Sequence, residues 1–170
     1  TAYTTLATMM QLFGEDGGFD FMKGLHSNIN QYTKSGSAPI KAAGRGETTI
    51  GIVFMHDAVK QAVKGFPVKV VAPAEGTGYE IGSMSIIDGA RNMKEAKAFY
   101  DWALSADAQN LALEVNAFQV PSNTGAKTSE SAPDMSSIKL IDYDFKTYGS
   151  SATRKRLLKK WDDEVSVLAQ

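Results

Sequence analysis

Two short stretches of this chain carry the side chains best suited to chemistry. The first is His56-Asp57, which directly follows a short apolar run. The second is Glu80, which ends a glycine-bearing loop that also carries Thr77 and Tyr79. A neighbouring His and Asp, together with a second carboxylate, can both donate to and accept from hydroxyl groups. Since neither stretch holds an obvious nucleophile, the residues indicate binding of a polar small molecule rather than catalysis.

Simpler explanations stand beside this interpretation. His56 can be hydrogen-bonded locally while Asp57 caps the next helix, and the loop before Glu80 can be a plain turn. The loop glycines follow a GxGxxxG spacing ahead of a strand-like segment, so a dinucleotide fingerprint is rejected and no cofactor is predicted. A mixed metal site of His56, Asp57 and Glu80 lacks further evident ligands, so no metal is predicted. An enzyme that uses His56 as a general base, with Asp57 or Glu80 as its partner, stays open as an alternative, although no nucleophile-elbow motif accompanies it.

Further polar residues lie just before predicted helices. Ser35 and Ser37, next to a lysine, offer hydroxyls and backbone N–H groups to an anion, and Ser37 is expected to cap the helix that follows. Thr1, Tyr3 and Thr4 lie at another helix start, where hydroxyls can bond a phosphate or a carboxylate. An ordinary capped helix start is the default explanation of the first segment, which is too short for a P-loop.

Hydrophobic periodicity predicts the elements that must position these residues. Strands are expected at 29–32, 48–54, 68–72 and 81–87, and helices at 4–13, around 19–25, and at 40–43, 57–63, 92–104 and 106–115, with a turn-rich surface loop at 118–134. Gly14 is expected to end the first helix. A strand, a helix and a strand in quick succession are typical of an α/β unit, so the predicted fold class is α/β, with a mixed, mostly parallel sheet flanked by helices.

The final helix shows the clearest amphipathic pattern. Its apolar stripe consists of Leu157, Leu158, Trp161, Val165 and Leu168. Basic residues occupy the other faces and are balanced by nearby acidic ones, which favours a solvated face over an anion-binding or membrane-binding patch.

Composition excludes several classes of protein. The chain has 170 residues, of which 43% are hydrophobic and 22% charged, as in an ordinary globular domain. A formal net charge of −1 argues against a nucleic-acid-binding surface. No apolar run reaches the ~18 residues that a membrane span needs. Cysteine is absent, which excludes disulfides and thiolate chemistry.

Two segments resemble a known family. Phe66–Asn92, ending in Gly-Ala-Arg-Asn, and Lys94–Ser105, ending in Trp-Ala-Leu-Ser, look like the second crossover and following helix of bacterial ABC-transporter solute-binding proteins. The similarity runs over essentially the whole chain and points to the family around the periplasmic ferric-ion-binding proteins. The resemblance implies a type II periplasmic-binding-protein-like fold, a periplasmic location, a solute held between two lobes without catalysis, and delivery to an inner-membrane permease.

The resemblance also suggests which solute is bound. Ferric-ion members carry adjacent tyrosines after the strand that corresponds to Ile50–Val53, whereas this chain has Met55, His56 and Asp57 near those positions. His56 and Asp57 with Glu80 are instead similar to the branch that binds phosphorylated sugars. The resemblance therefore implies that these three residues hold the hydroxyls of a hexose phosphate, with ferric-ion transport as the alternative.

Members of this family are about twice as long as this chain. By the family's pattern, residues 1–82 belong to the second lobe, residues 83–125 to the first lobe, and residues 126–170 return to the second lobe. The chain is thus expected to be the C-terminal part of such a protein. An apolar face separated from its sheet costs about 25 cal/mol per Å² left in water, so self-association through the first-lobe segment is also expected.

Overall fold

A computed structural model of the chain describes residues 2–168. Within that range the structure is built mainly of helices. They are α1 (Ala2–His26), α2 (Ala38–Gly44), α3 (Met55–Val63), α4 (Met93–Ala103), α5 (Ala106–Glu114), α6 (Phe145–Tyr148) and α7 (Ser151–Glu164), with a 3₁₀ turn at Met135–Ser137. None of the helices within residues 2–168 is both long and apolar enough to cross a membrane.

Helix α1 is a pair of helices joined at Gly14. Gly14 has φ 73° and ψ 169°, a backbone conformation that glycine adopts without the steric cost that a Cβ would bring. The predicted break at this residue and the predicted second helix after it are both confirmed. Because the chain changes direction at Gly14, Met10 before the break and Phe19 after it are buried in the same core.

The main core lies between the two parts of α1 and α7. It consists of Leu6, Met10, Phe19, Met22, Leu157 and Val165, each at most 6% exposed. The predicted amphipathic final helix is confirmed for Leu157, Leu158 and Trp161, which lie in the core or pack against it, and Val165 just after the helix is fully buried. Leu168, also predicted in the apolar stripe, lies beyond the end of α7 and is 43% exposed. Its charged face makes exposed ion pairs, such as Arg156 Nη1 to Glu15 Oε1 at 2.6 Å.

The predicted sheet is not confirmed. Among the described residues, the β-pairing consists of one isolated parallel bridge between Thr77 and Leu140. A strand persists only when a neighbour takes up its backbone N–H and C=O groups. The segments predicted as strands lack such neighbours within residues 2–168, and several of their apolar side chains remain exposed, with Ile50 at 76%, Ile81 at 67% and Ile87 at 79%. These segments have the apolar composition of strands, but within residues 2–168 they form no hydrogen-bonded ladder with a neighbouring strand.

The described residues form two compact units. The first contains residues 2–54, 71–80 and 134–168, and the second contains residues 55–70 and 81–133. Ala58, Val59 and Phe118 are buried in the second unit, whereas no residue of α4 or α5, both fully described, is buried. The predicted lobe boundaries at residues 82 and 125 stay a prediction.

Residues 118–134 form the turn-rich loop that the sequence predicts. The Gln109 side chain of α5 holds it, since Nε2 donates to Ser122 Oγ at 2.9 Å and Oε1 accepts from the Asn123 backbone N–H at 2.9 Å. The Asn123 side chain then donates to the Leu104 carbonyl at 2.8 Å. This loop is thus fixed to the Gln109 side chain of α5 and to the Leu104 carbonyl at the end of α4.

Candidate functional site

The loop 76–80 is held in place by its backbone. The Thr77 N–H donates to the Lys139 carbonyl at 2.9 Å, and the Ile141 N–H donates to the Thr77 carbonyl at 3.1 Å. The Thr77 hydroxyl donates locally to the Gly78 carbonyl at 3.1 Å. Thr77 therefore fixes the loop to the segment that returns at 139–141.

The middle of the loop packs closely on α1 and on an aromatic cluster. A Cβ placed on Gly78 would overlap the Thr8 hydroxyl oxygen, so the backbone can approach α1 only without a side chain. The Tyr79 ring packs edge-on against Phe145 at 5.3 Å and against Tyr143 at 6.2 Å between centroids. Tyr79 thus holds the loop by packing, with its ring partly buried.

Glu80 ends the loop beside the start of α1. The Thr4 hydroxyl donates a hydrogen bond to Oε1 of Glu80. Glu80 is an exposed residue, whereas Thr4 is only 7% exposed. The Thr8 hydroxyl, one turn further along, donates to the Thr4 carbonyl at 2.7 Å. Nothing in the sequence predicts that Thr4 meets Glu80, because the residues are 76 positions apart and no motif links them.

Tyr3 is engaged in the fold itself. Its hydroxyl donates to the Tyr148 carbonyl at 2.7 Å, and the Arg154 guanidinium lies 4.7 Å from the centre of its ring. Burial raises the pKa of Tyr3 above its ordinary value of 10.0, so the phenol is protonated at neutral pH. With its proton directed to the backbone, the Tyr3 oxygen can meet a ligand here only as an acceptor. The neighbouring candidate, Thr1, lies outside the described residues.

Ser35 and Ser37 precede α2 in the same unit. Their hydroxyl oxygens are 3.5 Å apart, and the Thr33 hydroxyl donates to the Ser35 carbonyl at 2.8 Å. Ser37 occupies the N-cap position as predicted, but it makes no side-chain cap hydrogen bond. The expected cap is therefore wrong, because Ser37 has φ −97° and ψ −3°, whereas capping needs an extended residue.

His56 and Asp57 lie in the second unit, in the first turn of α3. They are predicted at the end of a strand, but the helix already begins at Met55, and the segment before it is irregular. The distance from His56 Nε2 to Asp57 Oδ2 is 3.9 Å, and both side chains are about two-thirds or more buried, at 31% and 26% exposed. A carboxylate in the first turn of a helix is stabilised by the helix dipole.

The structure thus places the predicted residues in two groups. Thr77, Tyr79 and Glu80 lie in one loop of the first unit, in which Glu80 contacts the start of α1, whereas His56 and Asp57 are together in the second unit. Across residues 2–168, no three His, Asp or Glu side chains are grouped as a metal site requires. Hydroxyls and carboxylates at these positions are suited to hydrogen bonding with a polar solute.

Comparison with known proteins identifies the family. A family model described as bacterial extracellular solute-binding protein matches residues 1–147. An uncharacterised protein of Haemophilus influenzae is 50% identical over 168 residues, which are 98% of this chain and 49% of that protein. The chain therefore spans about half the length of this relative.

Two solved structures are also similar to the chain. The periplasmic binding protein AfuA from Actinobacillus pleuropneumoniae, with exogenous fructose-6-phosphate bound, is 52% identical with a TM-score of 0.93. The periplasmic binding protein P5PA is 41% identical with a TM-score of 0.89. The match with AfuA includes 99% of this chain, and the match with P5PA includes 98% of it. In each case the match includes 53% of the other protein's chain. These similarities confirm the predicted periplasmic-binding-protein-like fold. The chain belongs to the family of bacterial extracellular solute-binding proteins.

Proposed function

We propose that this chain is the ligand-binding C-terminal part of a periplasmic protein that binds a sugar phosphate and delivers it to an ABC importer in the inner membrane. The observation that carries the proposal is the 52% identity, over 99% of the chain, to a periplasmic binding protein whose structure holds fructose-6-phosphate. Since the chain covers 53% of that protein, the remaining ligand contacts would come from the part that it does not match.

The polar residues predicted from the sequence suit the hydroxyls of a sugar. The Glu80 and Asp57 carboxylates can accept from hydroxyl groups, and His56 can donate or accept according to its protonation. Thr77 and Tyr79 hold the loop that carries Glu80. Tyr3, Ser35, Ser37 and Thr1 are the further ligand contacts in this proposal, with hydroxyl oxygens suited to a phosphate or a hydroxyl.

Two other functions are weaker. Ferric ion binds best to hard oxygen ligands such as phenolates, and the chain has Met55 and His56 where iron-binding relatives are expected to carry tyrosines. Catalysis by His56 would need a nucleophile or cofactor site, and a binding role follows more directly from the solute-binding family. The predicted self-association finds no support in the relatives and is not part of the proposal.

A thermal-shift experiment tests the proposed solute. The chain is heated alone and with fructose-6-phosphate, glucose-6-phosphate, fructose, inorganic phosphate or ferric citrate. A ligand at 100 times its dissociation constant adds about 2.7 kcal/mol to the free energy of unfolding. We expect a rise in melting temperature with a sugar phosphate and a smaller one or none with fructose or phosphate. A rise with ferric citrate alone would favour iron, and no rise with any probe would contradict sugar-phosphate binding by this chain.

Alanine substitutions test the residues. His56→Ala, Asp57→Ala and Glu80→Ala should each weaken sugar-phosphate binding by more than ~1 kcal/mol, because a hydrogen-bonded ligand group loses its partner. Glu75→Ala is the matched control, since Glu75 is an exposed carboxylate five residues before Glu80. Equal affinity in all three variants and the control would contradict the assignment of the site.

A further inference from the structure

The side chain of Glu80 is held by a hydrogen bond from α1. The hydrogen bond from the Thr4 hydroxyl joins it to the first turns of α1. The two residues differ sharply in surroundings, since Thr4 is 7% exposed and Glu80 is exposed. A buried hydroxyl thus donates to the carboxylate of an exposed residue.

We infer that Thr4 is a positioning residue, which orients the Glu80 carboxylate for the solute. This inference rests on the proposed function, because it concerns the same site. It adds a residue that the sequence places at a helix start but does not connect with Glu80.

The Thr4 side is rigid. Its carbonyl accepts from the Thr8 hydroxyl at 2.7 Å, and Leu6 and Ala7 beside it are 3% and 0% exposed. A buried hydroxyl needs a hydrogen-bond partner, and donation to Glu80 supplies it. Since neither the backbone nor the hydroxyl of Thr4 can move without loss, the direction in which it donates is fixed.

The Glu80 side is held at its backbone. Thr77 is paired with the 139–141 segment, Gly78 is seated on Thr8, and Tyr79 packs on Phe145. With the backbone fixed and Oε1 bonded to Thr4, the carboxylate plane has a defined orientation. A carboxylate offers about four acceptor positions, and the bond from the Thr4 hydroxyl uses one of them.

Orientation before binding favours affinity. A free glutamate side chain has several rotamers, and a solute that must immobilise it loses part of its binding free energy. The Thr4 hydroxyl removes that loss because it selects one orientation in the unliganded protein. A charge-assisted hydrogen bond of this kind is also stronger than one between neutral groups.

Two substitutions of nearly equal shape separate the effect of the Thr4 hydroxyl on binding from the effect of its packing. Thr4→Val keeps the branched shape and removes the hydroxyl, whereas Thr4→Ser keeps the hydroxyl and removes a methyl group. Calorimetry with fructose-6-phosphate should give a dissociation constant about tenfold higher for Thr4→Val, or ~1.4 kcal/mol, and within about twofold of the unmodified chain for Thr4→Ser. Equal affinity for Thr4→Val and the unmodified chain would overturn the inference and leave the proposed function standing.

A double-mutant cycle distinguishes positioning from general damage. In the Glu80→Ala background, Thr4→Val should weaken binding no further, because the group that Thr4 orients is gone. If the two losses simply add, Thr4 acts through folding alone and the inference is wrong. The same cycle by urea denaturation without ligand should also be non-additive; additive losses there would contradict the contact itself. If the unmodified chain binds no sugar phosphate, the proposed function fails first, and the role of Thr4 fails with it.

Discussion

Replacement of Gly78 by alanine tests how the candidate loop is held on α1. A Cβ at this position would overlap the Thr8 hydroxyl oxygen and would lie 3.2 Å from Thr8 Cβ and 3.4 Å from Tyr143 Cδ2. Thr8 cannot easily move away, because it is 4% exposed and its hydroxyl is bonded to the Thr4 carbonyl. Tyr143 is also buried. The new methyl group therefore displaces either the loop or α1.

We expect Gly78→Ala to lower the free energy of unfolding by about 1–3 kcal/mol, the usual cost of inserting a methyl group into a packed site. The control is Gly24→Ala in α1, where a Cβ would meet nothing within 4 Å. That variant should gain about 0.5–1 kcal/mol, because alanine is the better helix former. The same substitution is thus expected to have opposite signs at the two positions.

Urea denaturation, monitored by circular dichroism, measures the free energy of unfolding of both variants. A third variant, Thr8→Ala/Gly78→Ala, opens the space that the new methyl group needs. Its loss should be smaller than the sum of the two single losses by about 0.5–3 kcal/mol, as is usual for residues in contact. A Gly78→Ala variant as stable as the unmodified chain, or strictly additive losses in the double variant, would refute the packing described for the loop.

Two further predictions concern a core residue and an ion pair of the first unit, with Leu111 of the second unit as an exposed control. Leu157→Ala should cost about 2–5 kcal/mol, since Leu157 is fully buried, whereas Leu111→Ala, with Leu111 46% exposed, should cost less than about 1 kcal/mol; equal losses in thermal unfolding would contradict the core. The hydrogen bond from Arg156 lowers the pKa of Glu15 below its ordinary value of 4.5. A lowered folded-state pKa adds stability above pH 4.5 and loses it as the pH falls through the folded value. Glu15→Gln should therefore cost about 0.5 kcal/mol at pH 7, because the pair is largely exposed, and nothing at pH 2; a difference that persists at pH 2 would refute the ion pair.

Local patterns in the sequence predict most of the helices. The break at Gly14, the start of α3 near Asp57 and the apolar stripe of α7 all depend on residues within a few turns of one another. Features of this kind depend only on neighbouring residues, so the structure reproduces them. The cap by Ser37 fails because it depends on a backbone conformation that the residue type alone does not determine.

Contacts between distant segments are not predictable in this way. The apolar runs at 48–54 and 81–87 have strand-like composition, but a strand depends on partners elsewhere, and within residues 2–168 these are missing. The contact of Thr4 with Glu80 likewise joins two segments that carry no common motif. The sequence therefore identifies Glu80 as a candidate and leaves the residue that holds it unknown.

Isothermal titration of the 170-residue chain with fructose-6-phosphate is the most direct test of the account, with fructose and inorganic phosphate as separate titrants. Saturable binding of fructose-6-phosphate, tighter than that of either separate titrant and weakened by Glu80→Ala but not by Glu75→Ala, is the predicted result. Binding that Glu80→Ala leaves unchanged would contradict the site. No heat of binding with fructose-6-phosphate at millimolar concentration would contradict the claim that this chain binds a sugar phosphate.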